Sequence, residues 1–299
     1  MAAGGCTAGP ANGGRAKAGM PELPEAETIR CQLEAEIAGA TVERLEVFQA
    51  RAWRFHSSAG ELAGLVEGRR VVGVGRRGKA PYLLLDGERP TTLIFRLGMT
   101  GLVRIAPAGE AAQEPPAAVL LLSGGRELRF FDSRTFGALI ARPGHDIERM
   151  PEFGRCGPEP LSEEFTLEYL AEALSRRTAN LEHVLMNQCV VAGIGKIYAD
   201  EICFKAGLRP GRRACGLTGP MRERLWQAIR DVLAEGIECR GSSARDESYR
   251  DIYGLPGRFQ DRMRVYQRTG EPCRRCGSAI RRTRMSGGRG MHWCPGCQK

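Results

Sequence analysis

"CRRCGSAIRRTRMSGGRGMHWCPGC", residues 273–297, closes the chain with two CxxC pairs, Cys273 with Cys276 and Cys294 with Cys297, separated by seventeen residues. Four thiolates on two such turns wrap a tetrahedral zinc ion. Because protein fills all four positions, the metal is structural and not catalytic. A hairpin this short buries too little apolar surface to hold itself rigid, so the ion supplies the rigidity. Inside it, Gly287, Gly288 and Gly290 flank Arg289 and allow close backbone approach to a ligand. Arg289 is thereby a candidate phosphate contact, while Arg281, Arg282 and Arg284 read as solvated side chains.

Around this hairpin the charge is lopsided. Residues 262–299 hold ten Arg and Lys against one acid, Glu271, for a net +9, equal to the formal charge of the whole chain. Such a segment is either a solubilising surface or the electrostatic footprint of a nucleic-acid binder. With 299 residues, 42% of them hydrophobic and 26% charged, the chain has room for at least two domains. No apolar run approaches the roughly 18 residues of a membrane helix. The other seven cysteines are scattered without a repeating pattern, which predicts idle thiols in a reducing, intracellular protein.

Upstream, "RCGPEPLSEEF" marks a domain boundary, and helical periodicity is predicted from Ser162 through LEYLAEAL, then in LEHVLMNQ and in PMRERLWQAIRDVLAEGI, the last ending near Gly236 or just beyond. Between these lies the glycine-punctuated turn VVAGIGKIYADE. The stretch "CRGSSARDESYRDIYGLPGRF" is too rich in Gly, Ser and Arg to read as core. Between residues 41 and 142 eight short apolar runs (TVERLEV, RVVGVG, YLLLDG, TTLIFRLG, GLVRI, AAVLLLS, ELRFF and GALIAR) alternate with Gly, Pro and Asp, the signature of an antiparallel sandwich or barrel.

The other end is "GMPELPEAETIR", residues 19–30. Ile29, Leu33 and Ile37 recur at spacing four, so an amphipathic helix begins near Pro24 and stops at Gly39. Met20 followed by Pro21 has the form of a start whose methionine is removed. A proline nitrogen so freed is a nucleophilic secondary amine, and Glu22 beside it could move the proton that such chemistry requires. As an internal residue, Pro21 would only punctuate the helix, and both readings stand on these residues alone. The first nineteen residues are Gly/Ala-rich and acid-free, with no apolar core for a secretory signal. They are expected to be disordered, an upstream start or a processed leader in preference to a transit peptide.

PELPEAET, RRGKAPYLLL, RLGMTG, DSRTFG, VAGIGKIYADE and the terminal CxxC…GGRGMHWCPGCQK stand in the order seen in the formamidopyrimidine-DNA glycosylase family, and from residue 21 to 299 the chain resembles that family. The resemblance implies an α+β multidomain protein: a β-sandwich with an N-terminal helix (21–150), a helix-two-turn-helix domain (151–240), a lesion-recognition loop and connector (241–262) and a four-cysteine zinc-finger hairpin (263–299), with 1–20 a disordered leader or a mis-assigned start. It implies one structural Zn2+, damaged double-stranded DNA as partner, no membrane and a monomer in the cytoplasm or nucleoid. Pro21 would be the nucleophile at C1′, Glu22 the acid/base residue and Glu25 a supporting group. Lys79 would approach the lesion and the backbone, and Arg289 would grip phosphates. Met99, Arg134 and Phe136 would fill the gap left by an extruded base, whereas without the family Met99 and Phe136 read as core.

Three departures bear on this. Lys196 follows Gly195 where the family usually has asparagine, so a phosphate contact there would be made by a charge instead of a planar amide. Glu182 stands where a lysine is common, which would weaken DNA affinity. Pro81 would displace its strand slightly. The implied activity is a bifunctional glycosylase and AP lyase acting on oxidised purines such as 8-oxoguanine and formamidopyrimidines. Its alternatives are an oxidised-pyrimidine glycosylase of the endonuclease VIII type and a noncatalytic lesion-binding protein in which the leader blocks Pro21.

Overall fold

The computed structural model describes residues 21–243, 249–284 and 290–299. All eight apolar runs are strands, in two antiparallel four-stranded sheets. One sheet is ordered β1-β6-β7-β5, from Val42–Val47, Ala118–Leu122, Arg126–Asp132 and Gly101–Pro107; the other is ordered β2-β3-β4-β8, from Val71–Arg77, Ala80–Leu85, Thr91–Arg96 and Ala138–Pro143. The sandwich interior takes alternate side chains, such as Leu83 and Leu85 of β3, and Leu93 and Phe95 of β4. Ile94 of β4 points the other way, into a second cluster with Ile140, Met150 and Phe153. Because both faces of β4 are covered, its sequence reads as a continuous apolar run. Pro81 is accommodated inside β3. It pairs with Arg76 in regular register, and the one irregularity of the β2–β3 ladder lies between Val71 and Gly73.

Helix α1 (Leu23–Ile37) lays Ile29, Leu33 and Ile37 on the sandwich core while Leu23, at its start, belongs to the core of the helical domain. One helix therefore joins the two. A further helix, α2 (Ala59–Val66), lies between β1 and β2, with Ser58 accepting from the Glu61 N–H at its N-cap.

The helical domain comprises α3 (Leu167–Ser175), α4 (Leu181–Leu185), α5 (Lys196–Ala206) and α6 (Gly219–Glu238). The first begins later than the periodicity suggested, because Thr166, not Ser162, caps it by accepting from the Tyr169 N–H at 3.1 Å. Helix α6 ends at Glu238, just beyond Gly236 as expected, and at Gly236 a Cβ would come within 2.6 Å of the Tyr198 ring, so the glycine serves helix packing. Helix α5 is buried on almost every side and is the central member of this domain. Strands β9 (Arg281–Arg284) and β10 (Gly290–Trp293) form the terminal antiparallel hairpin.

Candidate active site

Pro21 and Glu22 lie at the junction of the two large domains, where the starts of α1 and α5 meet. The Leu23 N–H donates to the Gly193 carbonyl at 3.0 Å, and Gly193, at φ +83°, could carry no side chain because a Cβ would strike Leu23 at 2.6 Å. The Glu22 carboxylate projects into the N-terminus of α5. Its Oε2 accepts from the N–H groups of Gly195 (2.7 Å) and Tyr198 (3.4 Å), and its Oε1 accepts from Ile197 (2.9 Å). These are the donors a helix start leaves unpaired, and the positive end of the helix dipole faces the same oxygens.

Burial nonetheless dominates the titration of Glu22. Its pKa is pushed up to about 7 by loss of solvent, with the Lys79 ammonium pulling the other way, Glu25 adding repulsion and the helix N–H groups opposing. A carboxyl group balanced near neutrality exchanges a proton readily in either direction. Lys79 approaches from the β2–β3 turn. A Cβ on Gly195 would lie 2.3 Å from Glu22 Cδ and 2.6 Å from Lys79 Nζ, so only glycine lets the two side chains meet over the helix start. Arg76 and Arg77 anchor that turn. Arg76 binds Glu27 and Glu159, Arg77 binds Glu148 and Glu159, and the Gly78 N–H donates to Glu159 at 2.6 Å.

Glu25 sits one turn along α1, wholly buried and likewise raised by burial. Its Oε2 accepts from the Glu22 N–H (2.9 Å), and its Oε1 accepts from the Tyr198 hydroxyl (2.8 Å) and the Ser242 N–H (2.6 Å). The stretch around Ser242, too polar to read as core, is buried at both ends: Ser242, Ser243, Tyr249 and Ile252 are each at most 3% exposed. Hydrogen bonding resolves the conflict. The Ser243 hydroxyl donates to the Tyr249 carbonyl at 2.5 Å and accepts from the Gly257 N–H at 2.9 Å. Residues 244–248 of that stretch lie outside the described residues.

Pro21, Glu22 and Lys79 open on a cavity of about 1110 Å³ whose walls also include Met99, Phe136, Lys196 and His292. That exceeds the roughly 300–1,000 Å³ of ordinary small-molecule pockets and suits part of a larger ligand. Met99 and Phe136 are not core. Met99 is half-buried, and Phe136 is 49% exposed with the Arg134 guanidinium 5.1 Å above its ring. Asp132 links their two turns, accepting from the Thr100 hydroxyl at 2.6 Å and from the Gly137 N–H at 2.5 Å. Arg54 holds the second turn from outside by donating to the carbonyls of Phe136 (2.7 Å) and Gly137. Its position in "QARAWRF" carries no sign of that role. Arg289 lies outside the described residues.

The four terminal cysteines converge, with all sulfurs within 4.8 Å of one another, Cys273 and Cys297 at 3.9 Å and Cys276 and Cys294 at 3.4 Å. A tetrahedron with Zn–S near 2.3 Å spaces its sulfurs by about 3.8 Å, so this donor set fits one zinc ion.

Three family models match the chain: the formamidopyrimidine-DNA glycosylase N-terminal domain over residues 20–139, the H2TH domain of the same glycosylase over 156–248, and the zinc finger found in FPG and IleRS over 270–299. The formamidopyrimidine-DNA glycosylase of Heliobacterium modesticaldum is 42% identical over 290 residues, covering 94% of this chain and 100% of that protein. The chain belongs to the formamidopyrimidine-DNA glycosylase family.

The family's solved structures agree in fold. The crystal structure of the MutM (Fpg) protein of Thermus thermophilus, 41% identical, superposes with a TM-score of 0.82 over 93% of this chain and 98% of that one. The Lactococcus lactis Fpg in complex with DNA containing an abasic site, 31% identical, superposes at 0.84 over 93% and 99%. The expected architecture of β-sandwich, helix-two-turn-helix domain and zinc-finger hairpin is the one observed, and the expectation of a DNA glycosylase is borne out by family membership. Among the described residues no helix is long and apolar enough to cross a membrane.

Proposed function

We propose that this chain removes oxidised purines, 8-oxoguanine and formamidopyrimidines among them, from duplex DNA and then cleaves the strand. The Pro21 nitrogen, free when the chain begins at that residue, adds its lone pair to C1′ of an extruded nucleotide. The glycosidic bond breaks and the base leaves with the bonding electrons. Glu22 delivers a proton as the sugar ring opens, leaving a C1′ iminium on the proline. The iminium acidifies the neighbouring sugar protons, so loss of the C2′ proton expels the 3′ phosphate. A second elimination then expels the 5′ phosphate. Lys79 neutralises charge beside the reacting sugar. Met99, Arg134 and Phe136 occupy the space the base vacates, offsetting part of the few kcal/mol that extrusion costs. Arg289 grips a flanking phosphate.

The observation that carries this reading is the carboxyl group of Glu22, held at a helix start beside Pro21 and Lys79 with a pKa of about 7. Cys273, Cys276, Cys294 and Cys297 would hold the zinc that keeps the hairpin rigid at the cavity edge. The testing experiment is borohydride trapping on an 8-oxoguanine duplex, comparing the full chain, a form starting at Pro21 and its Pro21→Gly variant. A covalent adduct from the form starting at Pro21 supports the mechanism. No adduct from any form, despite tight lesion binding, would mean a noncatalytic reader. Faster release of thymine glycol than of 8-oxoguanine would move the substrate class to pyrimidines.

A further inference from the structure

The two departures from the family pattern meet in space. Lys196 Nζ lies 2.5 Å from Glu182 Oε1 and 2.5 Å from Asp200 Oδ2. Both carboxylates are wholly buried, while the lysine side chain is 18% exposed at the cavity wall. Asp200 Oδ2 also receives the backbone N–H of His292 at 3.1 Å and stands 2.8 Å from its Nδ1. The lysine contacts are close in distance, yet neither Glu182 oxygen has a hydrogen-bond partner among the described residues, and burial with the repulsion of Asp200 pushes the Glu182 pKa up to about 7 against the pull of Lys196. The neighbouring Glu201 accepts from the N–H groups of Arg264, Val265 and Tyr266, the segment leading into the zinc hairpin, at 2.8–2.9 Å. Helix α5 therefore holds Glu22 with its first N–H groups and the zinc module with two consecutive acids further along.

We propose that Glu182, Lys196, Asp200 and His292 form a buried charge lock that fixes the zinc hairpin to the helix start cradling Glu22, making Lys196 a positioning residue and not a phosphate contact. A lysine in the first turn of a helix opposes the helix dipole, and the two acids offset this. An ammonium already facing two carboxylates has no surplus charge for a DNA phosphate, so its loss releases no counterion. The exchange of charge between positions 182 and 196 is then one change, not two independent weakenings of DNA binding. The inference rests on the proposed glycosylase reading for its catalytic consequence alone.

The test uses the zinc-loaded protein beginning at Pro21, with Lys196→Gln and Lys196→Arg. Three quantities are measured: the salt dependence of binding to a duplex bearing a tetrahydrofuran abasic analogue, the rate of zinc release to a chromogenic chelator, and single-turnover excision at saturating 8-oxoguanine duplex. For Lys196→Gln the expected result is an unchanged salt slope, zinc release faster by about tenfold, and excision slower by about tenfold, with Lys196→Arg restoring the last two. A fall of about one in the slope, or zinc release equal to wild type, overturns the proposal. Should Lys196→Gln not fold, the double variant Glu182→Gln, Lys196→Met removes both charges together and is measured in the same way. A wild-type protein that forms no trapped adduct would remove the glycosylase reading while leaving the zinc-release comparison intact.

Discussion

Tyr198 bonds to both buried glutamates at once, its hydroxyl donating to Glu25 at 2.8 Å and its backbone N–H to Glu22 at 3.4 Å. Its ring is stacked on Phe259 at 4.9 Å, so it cannot turn away from either. Tyr198→Phe removes the hydroxyl and leaves Glu25 Oε1 with the Ser242 N–H alone. The expected cost is about 1–2 kcal/mol of stability in urea titration, with a lowered excision rate and little change in DNA affinity. Unchanged excision would separate Glu25 from the work of Glu22.

The raised pKa of Glu22 has a sign that can be checked. In the unfolded chain its value is the ordinary 4.5, and in the folded protein about 7, so the native state binds the proton more tightly. Stability from this group is full below pH 4.5 and is lost as pH rises towards 7. At about 1.36 kcal/mol per unit, roughly 3 kcal/mol goes in that window. Between pH 5 and pH 8, wild type should lose about 2.5 kcal/mol more unfolding free energy than Glu22→Gln. Excision should fall above pH 7 in wild type, and drop by roughly 10²–10⁴ in the variant.

Gly195→Ala is expected to abolish excision while leaving the fold in place, since its methyl would displace Glu22 and the Lys79 ammonium. Gly216→Ala, where a Cβ meets nothing within 4 Å, is the matched control. Equal activity of the two variants in single-turnover assays would contradict the site geometry.

Removing zinc should act on the hairpin first. Trp293 sits in β10 with the Arg209 guanidinium 4.1 Å above its ring, so its fluorescence reports hairpin docking. Cys294→Ser is expected to lose the metal, shift that emission and weaken binding to an abasic-site duplex by about tenfold or more. The helical domain's thermal transition should remain.

Phe136→Ala should leave stability within about 0.5 kcal/mol, because the ring is half exposed. Its effect belongs to the DNA complex: slower excision of a paired lesion, and a much smaller change on a single-stranded one. Equal losses on the two substrates would take the ring out of the wedge.

The eight strands were legible because each is a short apolar run, alternating or continuous, bounded by turn residues, and the zinc site because ligand spacing alone dictates it. Helix α2 went unread: eight residues with two glycines and only Leu62 and Val66 buried make a weak pattern. The burial of Ser242 and Ser243 was invisible because polar residues enter a core only when partners from distant segments satisfy them, here Glu25, Gln260 and Gly257. Glu182 and Lys196 read as two separate changes to DNA contact for the same reason. Fourteen positions apart in sequence, they meet through a turn between two helices. Arg54 is the plainest omission, since a carbonyl-gripping arginine leaves no trace in composition or period.

The partners of Glu22 are encoded about 173 residues after it. During synthesis all eight sandwich strands are made before the residues that cradle this carboxylate, while Tyr249 and Ile252 of the sandwich core follow later still. Without α5, Glu22 lacks the N–H groups of Gly195, Ile197 and Tyr198 and the burial that helix provides. On the proposed mechanism the reagent is therefore assembled only when chain from both ends has come together: a product broken off before Gly195 has Pro21 and Glu22 but not the helix start that holds the carboxylate.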